Sequence, residues 1–574
     1  MTVTKELSRR PIVHRKARFV EHAHSWKARL SVPLIAVLLL TVFGVLCSVM
    51  TACKSGLTTE EKLADFRYLF DMLRDNYPYL ELKVRSEGYD WLAHESEFEE
   101  WVRQSRNDKE FAQAIQRMLS MLNNGHTGIM PPQIYEMFAN ATAEMKPWLD
   151  EAAKTDSETV SRWYGYLSNA LQYPKGQGLP FRAWYCQGEY VVYWVMADFG
   201  SKGGVQPGDT VLSIDGQPVH KYVKGLRGLT RLRLDPIRDR LYLTELLPPY
   251  SKESYEVEFG RADGTVIRAK VGFGPLTGRL RLPYLPTNLG RTDNVYTTML
   301  ADGKVAYLHI NRMTPFDQFQ EEAQSLREFF AELRDVPALV IDIRGNGGGD
   351  DRFWMLNIVR PLATKPLTKA GAGTMRNGEF VRPFAEANSD FGQTVEGLSG
   401  TGRVLEHSEI PDALTPEQLK NLPPEVLGPE FGPLWIGETT ISPSGEYPYD
   451  GKVFLLVDFT VFSSAQGFTE FCKGSGWATV VGEHTGGGND AFTPGMVTLP
   501  NSRMPIFFAA GMGLNPDFTA VEETLTAPDI LVERSPEDII KLVEAASTGR
   551  PFTEPSPNFD PALRECIRLA LEAP

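Results

Sequence analysis

Two distant segments carry residue types that together could form a serine-hydrolase site. The first runs Ala338-Leu339-Val340-Ile341-Asp342-Ile343-Arg344 into Gly345-Asn346-Gly347-Gly348-Gly349. The second runs Val453-Phe454-Leu455-Leu456-Val457-Asp458, then Thr460-Val461-Phe462-Ser463-Ser464-Ala465-Gln466. Each is an apolar, β-branched run that stops at a turn and opens into a helix-like stretch. Such a run predicts a strand buried on both faces, as in a parallel sheet. Ligands of parallel sheets bind beyond the carboxyl ends of the strands, where the glycines and Ser463 fall. Taken alone, the glycines also fit an empty turn, and Ser463 fits a helix N-cap. A phosphate loop is disfavoured because no Gly-Lys-Ser/Thr follows the glycines.

These runs sit inside a strand–helix–strand alternation. Val305 to Ile310 reads as a strand, Asp317 to Leu333 as an amphipathic helix, and Ala338 to Ile343 as the next strand. The pattern resumes with Lys452 to Val457, a helix to Lys473, and Ala478 to Gly482. Between them, 366–450 is rich in Gly and Pro and weakly periodic, and reads as an elaborated insertion or lid. Upstream, 58–172 is mostly helical in pattern. Thr58-Thr59-Glu60-Glu61 makes a capping box. Asn123-Asn124-Gly125 stops a helix, which leaves His126 on a turn. Residues 180–275 read as a small β-rich module around Gly204-Val205-Gln206-Pro207-Gly208-Asp209 and Ile214-Asp215-Gly216. Residues 276–295 read as a connection, and 541–574 as a helical tail.

The chain has 574 residues, beyond one ordinary core, and a net charge of −14. That balance gives no electrostatic footprint for nucleic acid. The first thirty residues are the local exception, with eight Lys/Arg against Glu6 and Glu21. They precede Ser31–Ala52, an uncharged, mainly apolar run of 22 residues, long enough to span a bilayer. It ends in Met50-Thr51-Ala52-Cys53, which resembles a bacterial lipoprotein cleavage site. Residues 1–52 are therefore expected to be a signal peptide, with Cys53 lipidated, or an uncleaved anchor. Either places the remaining chain on the extracytoplasmic face of a bacterial membrane. The five cysteines, Cys47, Cys53, Cys186, Cys472 and Cys566, have no metal-ligand spacing and no readable disulfide framework.

The order of these motifs resembles the C-terminal processing (tail-specific) peptidase family, which includes the tricorn core. Residues 204–219 are similar to its PDZ-like module, 338–349 to its Asp-x-Arg-x-Asn-x-Gly-Gly loop, 453–485 to its nucleophile segment and 522–530 to its closing segment. The resemblance implies an α/β and α+β multidomain protein. Its parts would be a helical lead-in (58–172), a PDZ-like module (180–275) and a ClpP/crotonase-like βαβ serine-peptidase core (296–540).

It implies Ser463 as nucleophile, with Ser464 the adjacent competitor. The family's Ser-x-x-Glu is departed from at Gln466. The lysine that many members carry twenty-five positions after the serine is absent, because Gly488 stands there. A Ser–His mechanism is then expected, with His126 as base and Glu522 or its neighbour Glu523 in support; His484 is the rival base. Gly125 stands where the tricorn core has a serine. Backbone amides of Gly347, Gly348 and Ser464 would hold the oxyanion. The expected activity is hydrolysis of peptides or unfolded protein segments through an acyl-enzyme, without metal or cofactor. A non-catalytic peptide- or apolar-ligand-binding protein on the same scaffold is the alternative, motivated by Gln466 and Gly488. A serine esterase lacks support, since no Gly-x-Ser-x-Gly surrounds Ser463.

Overall fold

The computed structural model describes residues 56–572 except 142, 168–174, 247, 276–292, 317, 391–396 and 548–553. The expected membrane segment, Cys53 and most of the 276–295 connection lie outside these residues. Among the described residues no helix is long and apolar enough to cross a membrane.

A six-stranded sheet organises the second half of the chain. Its spatial order is Val295–Leu300, Val305–Ile310, Ala338–Asp342, Lys452–Val457, Thr479–Gly482 and Ile530–Leu531. The first pair is antiparallel and the others are parallel. Every residue of Ala338–Asp342 is buried, which explains its lack of polar alternation. Leu339 and Ile341 face one core with helices Gln320–Phe330 and Ser464–Ser475. Ala338 and Val340 face another core, with helix Pro561–Leu571. Residues 541–574 are therefore more than an appended tail, because this last helix closes one face of the sheet.

A buried ion network secures that helix. The Arg344 guanidinium donates to both Asp342 oxygens, at 3.0 and 2.6 Å, and to both Asp560 oxygens, at 2.9 and 2.6 Å. Asp560 also caps the helix by accepting from the Leu563 amide. The neighbouring Arg344 holds the Asp560 carboxyl below the usual carboxylate range, against the burial that would raise it.

The described residues of 366–450 include three strands of one sheet. Strands Leu367–Thr374, Leu398–Leu405 and Leu434–Ile441 build an antiparallel sheet with Met512–Leu514. Gly371, Gly373, Gly400, Gly402 and Gly437 sit inside these strands, which hid them from a periodicity reading. Gly437, for example, packs its Cα side 2.9 Å from the Thr401 carbonyl, measured to where a Cβ would lie.

The front of the chain is helical, including Thr59–Asn76 with its capping box and Asp108–Ser120. It shares one core with residues near the C-terminus, among them Val497, Ile506, Phe508 and Met512. Strand Gly128–Ile129 pairs antiparallel with Ile506–Phe507. The module between them is a sheet in the order Val266–Gly272, Ser254–Gly260, Thr210–Ile214, Glu189–Val195, Phe181–Cys186.

Replacing Asp560 by Ala removes one partner of a buried cation and a helix cap, and is expected to cost about 3 kcal/mol. Urea unfolding of wild type, Asp560→Ala and the milder Asp560→Asn checks this. An unchanged midpoint for the alanine variant would show that the network is not stabilising.

Candidate active site

Ser463 occupies the turn between Lys452–Val457 and helix Ser464–Ser475, at φ 57 and ψ −124. A non-glycine residue in that region is strained by about 1–3 kcal/mol and persists only where its surroundings enforce it. Here the Ser463 amide donates to the Gly487 carbonyl at 3.1 Å, and the Ser463 carbonyl accepts from Gly467 at 3.0 Å. The Ser464 amide is the first of the new helix, one of the donors that a helix N-terminus leaves without an intrahelical partner.

The glycine loop packs directly onto this turn. A Cβ on Gly348, whose φ is +104, would lie 2.7 Å from both the Phe462 carbonyl oxygen and Ser463 Cβ. Asn346 ties the two segments together. Its carbonyl accepts from the Phe462 amide at 3.2 Å, and its Nδ2 donates to Ile310 O at 3.2 Å. Its Oδ1 accepts the Gly348 amide at 2.9 Å. The sequence reading gave the Gly348 amide to an oxyanion, whereas in the structure it serves this internal turn. Gly345 donates to Thr460 Oγ1 at 2.6 Å, and Thr460 is held by Asp458.

His126 arrives from the helical front. Asn124 Oδ1 accepts its amide at 2.8 Å and the Thr127 hydroxyl at 3.1 Å. The His126 ring lies against the Phe462 ring, centroids 4.7 Å apart, which sets it beside the Ser463 turn. Its Nδ1 is 2.5 Å from Asp490 Oδ2. Asp490 is buried, and its Oδ1 accepts from the Tyr79 hydroxyl at 2.6 Å. Burial, with the Asp490 charge beside it, pushes the Tyr79 hydroxyl well above its usual range, so it stays a donor.

The carboxylate on His126 is thus Asp490, whereas the sequence reading expected Glu522 or Glu523. Glu522 Oε1 instead accepts from buried Lys83 at 2.7 Å, and Lys83 also donates to Glu87 at 2.8 Å. Glu523 pairs with Arg85. A buried ammonium needs carboxylate partners, and Lys83 claims Glu522. Asp490 carried one faint signal, its place right after the glycine run 486–488.

Phe462 packs against two of the three positions that depart from the family pattern, Gly125 and Gly488. A Cβ on Gly125 would lie 2.4 Å from Phe462 Cζ and 2.3 Å from Arg231 Nη1, so a serine there would require those two side chains to move. A Cβ on Gly488, at φ +86, would lie 2.5 Å from the same ring, so a side chain there would have to displace the ring and strain the backbone. Gln466 is buried and donates to Glu470 at 2.9 Å and Thr526 at 2.5 Å. His484 is set apart. It lines a small cleft of about 80 Å³ with Trp184, Tyr242, Asp458 and Glu483, a group that includes neither Ser463 nor His126. Among the described residues no cluster of His, Cys, Asp and Glu could hold a metal ion.

Residues 304–532 match peptidase family S41. No curated protein matches the chain. Among solved structures, mature CPAF is 16% identical, covering 86% of this chain and 97% of that one, with a TM-score of 0.47. The photosystem II D1 C-terminal processing protease is 14% identical, covering 83% and 94%, with a TM-score of 0.33. The tricorn protease is 14% identical, covering 80% of this chain and 36% of that one, with a TM-score of 0.21.

Two tests follow from this geometry. Gly348→Ala must push the nucleophile turn, and a displacement near 1 Å is expected to cost about 100-fold in reactivity. Labelling rates with a serine-reactive fluorophosphonate would reveal it, while circular dichroism confirms the fold. The second concerns Glu483, whose carboxyl burial pushes up to about 7 despite Arg534 nearby, from 4.5 unfolded. Between those values the folded protein holds more protons than the unfolded chain, so this group makes stability fall as pH rises from 4.5 to 7. Glu483→Gln should flatten urea midpoints across that window, and an identical slope would refute the assignment.

Proposed function

We propose, on the premise that this chain belongs through residues 304–532 to peptidase family S41 and is a serine-type peptidase, that Ser463 is its nucleophile and His126 its base. The observation that carries this reading is the His126 Nδ1 contact with Asp490 at 2.5 Å, on a ring packed against the residue before Ser463. With its Nδ1 proton donated to Asp490, the neutral imidazole presents Nε2 as the basic nitrogen. Asp490 is itself held by Tyr79, so the ring's tautomer and orientation are set before substrate arrives.

In this mechanism Ser463 Oγ attacks the peptide carbonyl and its proton passes to His126 Nε2. The negative oxygen is held by backbone amides of Ser464 and Gly347. Gly348 supports the loop through Asn346 without donating to the oxyanion. The imidazolium then returns the proton to the leaving amine, which departs and leaves an acyl group on Ser463. Water, deprotonated by His126, attacks the acyl carbonyl, and the acid product leaves as Oγ recovers its proton. The Ser463 hydroxyl makes no cap bond to the helix that follows it. Glu522 keeps Lys83 neutralised one layer away. Substrates are peptides or unfolded protein segments.

The protein is further proposed to be held at the extracytoplasmic face of a bacterial membrane. The basic start, the apolar run Ser31–Ala52 and Cys53 support this, with either a lipid on Cys53 or an uncleaved anchor.

Fluorophosphonate labelling and hydrolysis of unfolded casein are expected for wild type and abolished in Ser463→Ala and His126→Ala. Undiminished labelling of Ser463→Ala removes the assignment. Asp490→Asn should lower kcat by about 1,000-fold or more with KM little changed, because the amide favours the wrong tautomer. If Glu522→Gln had that effect and Asp490→Asn did not, the orienting role would belong to Glu522.

A further inference from the structure

Sheet edges are where many β-rich modules capture peptides, by adding the ligand as one more strand beside a helix. In this module the edge strand is Phe181–Cys186, and the neighbouring helix is Val219–Lys224. The edge is already paired with the chain's own residues. The Tyr185 amide donates to Thr244 O at 2.9 Å, and the Leu246 amide donates to Ala183 O at 2.9 Å. Trp184 and Glu245 form the antiparallel bridge between them.

Side chains fasten the same segment. Leu241, Leu243 and Leu246 are buried in one cluster with Val219 and Val223 of the helix. Glu245 Oε1 accepts from Arg182 and from the Tyr193 hydroxyl, each at 2.7 Å. The Leu243 amide donates to the Tyr190 hydroxyl at 3.0 Å, and Arg240 donates to Gly188 O at 3.1 Å. Main-chain ladder, apolar anchors and charged contacts are the three things a docked peptide would supply, and all three are supplied in cis.

Within the module, the same segment is also tied to the helical front and to the core around Ser463. The Leu232 amide donates to Asn123 Oδ1 at 2.7 Å, and Arg231 donates to Gly486 O at 3.2 Å. Arg233 donates to Phe459 O at 2.5 Å. Residues 231–246 therefore form a strap anchored beside the nucleophile turn at one end and along the module's edge at the other.

We propose that residues 240–246 are a built-in strand that closes this module's peptide edge, so that the enzyme accepts substrates without selecting a free C-terminal carboxylate there. This rests on the peptidase reading for its consequence, but the closed edge stands independently of it. A displaced strap would have to give up two ladder bonds and three buried leucines, so an incoming peptide end competes poorly.

Amide hydrogen exchange on the full chain, without added peptide, should find the Tyr185 and Leu246 amides protected by about 100-fold or more over unpaired loop amides. Exchange at the unpaired rate overturns the proposal. A peptide that the enzyme cuts, recovered from its digest of unfolded casein, is then made with a free carboxylate and with a carboxamide. Values of kcat/KM within about 2-fold support the proposal, and a preference of 10-fold or more for the free acid overturns it. Failure to cut casein at all counts against the peptidase reading, and the exchange result still decides whether the edge is closed.

Discussion

A short antiparallel pairing, Gly128–Ile129 with Ile506–Phe507, is the interaction on which the site depends. It joins the helical front of the chain to the region that follows the nucleophile. The Met130 amide extends it by donating to Pro505 O at 2.9 Å, and the helices of the front share a core with Val497 to Met512. Two residues of ladder would be marginal alone. Burial of Phe66, Phe111, Ile115 and their partners, each fully enclosed, supplies the hydrophobic drive that makes the register permanent. As a result His126 meets Asp490, 364 positions away.

Around that junction Phe462 acts as a steric ruler. Its ring contacts His126, lies under the Arg231 guanidinium at 4.6 Å, and fills the space above Gly125 and Gly488. One aromatic side chain thus lies against both the glycine before the histidine and the glycine at position 488. The strained backbone at Ser463 belongs to the same packing. It is pinned by Gly487 on one side and by the glycine loop on the other, so relaxing it would require moving both.

Charge is handled by separation into closed groups. Arg344 is neutralised by Asp342 and Asp560, and Lys83 by Glu87 and Glu522. Each of these two cations takes two carboxylates, and Asp490, with Tyr79 as its other partner, is left for His126. A carboxylate's role here follows from which cation sits nearest.

The amino-acid sequence by itself determined the layered parallel sheet, because unbroken apolar runs such as Ala338–Ile341 and Val453–Val457 can only be buried on both faces. It also set the turns on which Ser463, His126 and the glycines lie, since those turns are written in local residue types. Strands with internal glycines, such as Leu367–Thr374, were illegible because glycine carries no side chain to alternate. Tertiary structure alone decided that Asp490 faces His126 while Glu522 faces Lys83, that the Gly348 amide belongs to Asn346, and that the last helix closes the sheet. Those outcomes turn on competition among groups hundreds of residues apart, where distance and burial choose between partners that look equivalent in one dimension.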